Sequence, residues 1–333
     1  MTLTSTGAAA TATVTAPGPT YPIVPSAGVG TGLGNYSLHY ASGTLTVNPR
    51  PASVTANDKS KYYGDANPPL TATVTGTVNG DTLNYTLATT ATQFSGLGGY
   101  PITVTLGSNP NYSVTPTNGS LTVNPATLTV TADTQTMVLH GTVPAPLTFQ
   151  ITGFKNGETT SVLTTQPTCT TTATSGSIVG SYPITCSGAA AANYSSTYFP
   201  GTLSILYSTG TCVGELGHTV LQPINMSGVM SVFKLGSTVP TKFRVCDANG
   251  VSIGTPGVVT GYGLVGSANT PGISVDEDVY STTPDTAFRW AGDQWIFNQS
   301  TKNNSTLNKT GVTYSFGIKL NDGSWIYFQY GLK

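Results

Sequence analysis

Asp276, Glu277 and Asp278 form the densest acidic run in the chain, and Asp285 and Asp293 follow closely. Hard oxygen ligands at this density can hold Ca²⁺. Their spacing is not that of an EF-hand loop, and Gly-Pro turns flank them, so residue type favours a solvated loop. A glycosidase pair would need one acid in an apolar pocket, which nothing in the sequence supplies. Nucleophile chemistry is poorer still: there is no Gly-x-Ser-x-Gly, no His-Glu-x-x-His, and no cysteine beside a histidine. The glycines from Gly28 to Gly34 lack Gly-x-Gly-x-x-Gly spacing and open no helix, which argues against a phosphate cradle. His39, His140 and His218 lie far apart, so structural zinc is not expected. The expectation is a non-enzyme without a cofactor.

Aromatic side chains are the better binding candidates. Trp290, Trp295, Trp325, Tyr327 and Tyr330 could make a platform for sugar rings or for the apolar surface of a partner. Trp325, Tyr327 and Gln329 share one strand face, opposite Ile326 and Phe328. One of the two faces must be core, so some aromatics should be exposed while most fill the interior. Lys242 reads as an ion pair or a snorkelling side chain. The cysteines, Cys169, Cys186, Cys212 and Cys246, permit three disulfide connectivities. Cys169 and Cys186 fall on segments expected to be adjacent strands. Cys212 and Cys246 would tie the entrance of the last domain to its sheet. Two disulfides imply an oxidising compartment.

The elements that must carry these residues are strands. Of 333 residues only 8% are charged, and net charge is −1, so no electrostatic argument favours nucleic acid or an anionic membrane. About one residue in six is Thr, which keeps the outer face of a strand polar without charge. Gly 39 and Pro 22 supply turns between many short strands. No segment approaches the roughly 18 apolar residues of a membrane-spanning helix, and Met1-Thr-Leu-Thr-Ser-Thr6 is not a signal peptide. An export signal is expected upstream.

Asn-Tyr-Ser recurs at Asn35, Asn111 and Asn193, each time followed by a Gly-Ser/Thr-Leu strand starting at Gly43, Gly119 and Gly201. These steps divide the chain into a C-terminal half-repeat at 1–49, a repeat at 50–125, a repeat at 126–207 with its own disulfide, and a distinct domain at 208–333. The half-repeat should leave an unsatisfied sheet edge. Within 50–125, Leu70 to Thr77 and Tyr100 to Leu106 alternate, Asn79-Gly80-Asp81 signals a hairpin, and about seven short strands are expected. His140-Gly141 aligns with Tyr63-Gly64, and Asn156-Gly157-Glu158 with Asn79-Gly80-Asp81. Pro125 leaves almost no slack between repeats, which predicts a semi-rigid, monomeric rod. In the last domain, Asp247-Ala-Asn249-Gly250 and Asn321-Asp322-Gly323 signal hairpins.

The two full repeats resemble the MBG domain of the Tyr-Gly type. The match rests on Tyr63-Gly64-Asp65-Ala-Asn67-Pro68-Pro69-Leu70, Asn79-Gly80-Asp81, Tyr100-Pro101-Ile102 and the Gly119-Ser-Leu-Thr-Val terminus, and the second repeat departs with His140. The last domain resembles the PxKF domain through Pro240-Thr241-Lys242-Phe243, Trp295-Ile-Phe-Asn298 and Phe328-Gln-Tyr330-Gly-Leu-Lys333. The resemblance implies a bacterial cell-surface or secreted protein and no known activity. The expected fold is all-β, tandem Ig-like sandwiches plus a terminal β-rich sandwich, with a β-grasp form of the repeat as the alternative. The expected function is a stalk that displays the terminal domain in an adhesive or structural role. The alternatives are a terminal module that binds a surface glycan or protein, and an accessory region of a larger secreted enzyme.

Overall fold

A computed structural model describes residues 1–226, 229–269, 274–277 and 283–333. Its regular structure is strand, apart from three single-turn 3₁₀ segments. The chain divides into two compact units. One contains 1–128, 153–164 and 190–196; the other contains 129–152, 165–189 and 197–333.

In the first unit, residues 50–125 form a sandwich rather than a β-grasp. One sheet has the order Lys59–Tyr62, Gly119–Asn124, Gly98–Leu106, Tyr85–Thr89, and the other Ala72–Thr75, Arg50–Ala56, Tyr112–Thr117. Alternation puts Val54, Ile102 and Leu121 fully inside, while Thr103 and Thr105 face water. Two pairings are parallel, Arg50↔Tyr112 and Leu121↔Lys59. Asp58 lies between the first two strands, and its Oδ1 accepts the Ser120 N–H at 2.7 Å.

Asn79 and Gly80 adopt the left-handed conformations that a tight turn needs, with φ +56° and +78°. They do not make the expected hairpin. The strands they connect, Ala72–Thr75 and Tyr85–Thr89, lie in different sheets. Turn chemistry is local, whereas pairing depends on which neighbours the sandwich offers.

The half-repeat forms a three-stranded sheet in the order Thr2–Thr4, Thr20–Ser26, Gly43–Thr46. Tyr21 is buried, and its hydroxyl donates to Thr13 O at 2.8 Å. The expected Asn-Tyr-Ser strand is absent here: Leu33–Asn35 is a 3₁₀ turn and Tyr36 is exposed. In the full repeat the same motif, at Tyr112–Thr117, is held by parallel pairing to Arg50–Ala56. No described strand of 1–49 offers that template.

In the second unit, Gln135–Val138, Gly201–Leu206, Gly180–Ser187 and Thr168–Thr171 form one sheet. Cys169 stands directly across from Cys186, and the two form a disulfide. The terminal region stacks the sheet Val220–Leu221, Thr238–Phe243, Gln294–Ser300, Arg289–Ala291 against Val259–Asn269, Val312–Leu320, Trp325–Leu332, Met230–Phe233, Ser274–Asp276. Phe243, Trp295, Phe297, Phe316, Phe328 and Tyr330 fill its interior. Asn321-Asp322-Gly323 closes a true hairpin, with Lys319 paired to Trp325 and Gly323 at φ +89°. Cys212 and Cys246 form the second disulfide, and Cys246 lies beyond the strand end at Phe243, on bridges to Ser208 and Ser252.

Candidate functional site

Strict alternation in the last strand separates two sets of aromatic residues. Ile326, Phe328 and Tyr330 enter the core, while Trp325 and Tyr327 stand on the outer face, 42% and 57% exposed. Their rings are nearly parallel, 7° apart with centroids at 5.8 Å. Across the hairpin Gly317 faces Tyr327, and a Cβ there would lie 3.1 Å from Trp325 and 3.2 Å from Tyr327. The missing side chain lets both rings lie down on the sheet. Lys319 faces Trp325 and holds its ammonium 5.7 Å from the ring centroid. The next strand brings Gly261 and Gly263 opposite Lys319 and Gly317. The result is a glycine-floored shelf bordered by two aromatic rings, a lysine and the half-pair Ser315 and Gln329. Such a shelf stacks flat apolar surface and supplies polar edges. It contains no nucleophile–base pair.

Trp295 and Trp290 are placed differently. Trp295 is buried in the core, stacks on Phe243, and donates its Nε1–H to Ile253 O at 2.9 Å. It faces the core, because this side of its strand packs against the opposite sheet. Tyr330 is fully buried for the same reason. Trp290 is half-buried, packs edge-on against Trp295 at 5.6 Å, and covers Gly254, where a Cβ would meet its ring at 2.2 Å. With Pro256, Tyr262, Phe288 and Arg289 it borders an open pocket of about 580 Å³. Burial pushes the Tyr262 and Tyr330 phenols well above their ordinary range, so both are neutral.

The acids disperse into separate structural duties. Asp276 ends an edge strand and pairs with Lys333 Nζ at 2.6 Å. Glu277 Oε1 accepts from Ser231 Oγ at 2.9 Å and Asn225 Nδ2 at 3.0 Å. Asp285 accepts the Asn298 N–H and pairs with Arg289, and Asp293 pairs with Arg244 at 2.7 Å. Asp278 lies outside the described residues. Among the described residues no three His, Cys, Asp or Glu side chains come together as a metal-holding group. His218 is half-buried and burial lowers its pKa.

Sequence reasoning named Trp325 and Tyr327 among its aromatic candidates but not Gly317, Lys319 and Gly263 beneath and beside them. The alternation before Asn321 marks Gly317 and Lys319 as outer-face residues. Only strand register shows that they face the rings.

Residues 52–122 and 128–204 match the family model of the MBG domain (YGX type). Among solved structures, the chain is similar to the I9–I11 tandem of titin, with 9% identity, 86% of this chain and 97% of that one covered, and a TM-score of 0.21. It is similar to the Escherichia coli adhesin FdeC, with 11% identity, 87% and 100% covered, and a TM-score of 0.24. It is also similar to the Yersinia pseudotuberculosis adhesin InvE, with 13% identity, 85% of this chain covered and a TM-score of 0.25, and it spans 58% of that protein. No curated protein matches the chain.

Proposed function

We propose that this chain, in which residues 52–122 and 128–204 match the model of the MBG domain (YGX type), is a non-catalytic surface or secreted repeat protein. Its repeats space and support a terminal PxKF-like domain at 208–333. The observation that carries this reading is the handover between modules. The strand Gly119–Asn124 is followed by Pro125 alone before Ala126–Ala132 begins. A single proline supplies no flexible linker. Two disulfides and the scarcity of charge favour an extracellular or cell-surface location. Spin labels placed at Thr105 and on the terminal hairpin of the whole chain test the spacer role. A narrow distance distribution is expected; a broad, coil-like one removes it.

A second reading is favoured by the exposed Trp325–Tyr327 shelf, which suits the terminal domain to bind a surface glycan or protein. Screening the whole chain against glycans and cells, beside the Trp325→Ala/Tyr327→Ala variant, tests it. Binding that survives the double substitution assigns recognition elsewhere.

A further inference from the structure

Two corners of the chain, one in each compact unit, are built alike, and each faces a carboxylate. In the first, Tyr63 OH donates to Glu158 Oε1 at 2.7 Å, and Tyr194 OH donates to Oε2 of the same carboxylate. The two tyrosine rings meet edge to face at 5.4 Å. Asp65, beside the corner, pairs with Lys155 Nζ at 3.1 Å. Gly64 approaches the chain so closely that a Cβ there would lie 2.4 Å from Lys155 Cβ, and its φ is +82°. The corner is braced from its own repeat. Buried Lys61 donates to Asp65 O at 3.0 Å and Thr92 O at 2.5 Å, and Gln93 donates to Gly64 O at 3.0 Å.

In the second corner, His140 Nδ1 lies 2.9 Å from Asp247 Oδ2, and an ionised carboxylate can only accept, so the imidazole donates. Asp247 is almost fully buried, and its Oδ1 takes the N–H groups of Asn249 and Val251 at 2.9 and 3.0 Å. Beside it Ala248 N donates to Leu139 O at 2.9 Å. A Cβ at Gly141 would touch Ala248 Cβ at 3.6 Å.

Both acids belong to tight turns of a later segment. Glu158 follows Asn156 and Gly157 at φ +56° and +74°, and Asp247 opens the turn that Gly250 closes at φ +74°. The bonded residues are 95 and 107 positions apart. The corners differ in backbone, because the left-handed residue is Gly64 in one and His140 itself, at φ +58°, in the other. What recurs is a ring donor and a turn-borne acid, with a glycine next to the ring donor: Gly64 is pressed against Lys155, whereas Gly141 stands at ordinary contact distance from Ala248.

We propose that the Tyr-Gly corner is an intermodular clasp. Its ring donates to a carboxylate carried on a tight turn of the module that follows, and its glycine gives that turn room to seat. A charge-assisted bond of this kind is among the stronger hydrogen bonds a protein makes. The partner class is thereby defined as a turn bearing Asp or Glu, with Tyr replaceable by another ring donor such as His.

The test uses the whole chain. In His140→Ala, the Ala248 amide should exchange its hydrogen at least about tenfold faster while the Phe243 amide stays protected, the signature of local opening. His140→Asn places an amide nitrogen where Nδ1 was, and Asn tolerates left-handed backbone, so Ala248 exchange should stay within about threefold of the parent. In Gly64→Ala, the distance distribution between spin labels at Thr105 and Thr160, both in the first compact unit, should about double in width, because the added Cβ displaces the turn. Unchanged Ala248 exchange in His140→Ala, or an unchanged distribution in Gly64→Ala, overturns the proposal. So does His140→Asn exchanging as fast as His140→Ala, or a loss of protection at Phe243 alongside Ala248, which would mean unfolding rather than undocking.

Discussion

His140 Nδ1 lies 2.9 Å from Asp247 Oδ2, so an exposed imidazole of one repeat is fastened to a carboxylate that is almost wholly removed from water. Burial alone would push the Asp247 carboxyl up. The hydrogen bonds from His140, Val251 N and Asn249 N outweigh it and hold the carboxyl below its ordinary value. A carboxyl with a depressed folded-state pKa contributes stability that is complete above its unfolded value and disappears as pH falls through the folded one. Stability should therefore drop below about pH 4. Asp247→Asn should flatten that acid limb and cost about 1.5–3 kcal/mol at neutral pH, the range for a hydrogen bond to a charged group. Urea unfolding from acid to neutral pH checks both, and an identical acid limb in parent and variant contradicts the assignment.

Tyrosines at two positions set the alkaline limit. Burial, reinforced by the hydrogen bond to Glu158, pushes Tyr194 up to about 12, and burial does the same for Tyr207. For a phenol with a raised folded-state pKa, the stabilisation is intact below the unfolded value near 10 and is lost as pH rises toward the folded one. Ultraviolet titration of the native chain should show these tyrosines ionising late, together with half-buried Tyr262 and buried Tyr330. Tyr194→Phe should remove one late-titrating group; an unchanged late phase would show that Tyr194 is not among them.

The tryptophans should separate into two classes. Trp295→Ala removes a buried ring and should destabilise by about 3–5 kcal/mol. Trp325→Ala and Tyr327→Ala remove exposed rings and should change stability by less than about 1 kcal/mol. Denaturant unfolding of the three variants measures this, and equal losses at Trp295 and Trp325 would contradict the placement of the shelf.

Both disulfides close short loops, 17 residues for Cys169–Cys186 and 34 for Cys212–Cys246. Removing the first by paired Cys→Ser substitution should cost about 3 kcal/mol and the second nearer 4 kcal/mol, on loop-closure entropy. Unfolding with and without reductant reads the difference. A parent chain that is insensitive to reductant would refute a stabilising role for either bridge.

Periodicity made most of the fold legible. The alternation at Tyr100–Leu106 and Trp325–Tyr330 divides each strand into two sets of side chains, because side chains in a strand point to opposite faces. Asn79-Gly80 and Asn321-Asp322-Gly323 were equally legible as turns, since each depends on a left-handed residue of its own. Only the second closes a hairpin. The Asn-Tyr-Ser motif behaves in the same way: it is a strand at Tyr112 and a bare turn at Tyr36. Its outcome depends on whether a partner strand exists.

The amino-acid sequence by itself determined the strand-forming periods and the turn positions, because these depend on neighbours within a few residues. Which ring faces water and which acid faces which ring were decided by tertiary structure alone. Gly317 becomes a floor only when register sets it beneath Trp325 and Tyr327. Glu158 and Asp247 become receptors only when a corner about a hundred positions away is brought to hydrogen-bonding distance. Contacts over such separations are selected by the packing of whole sheets, and no local pattern encodes them.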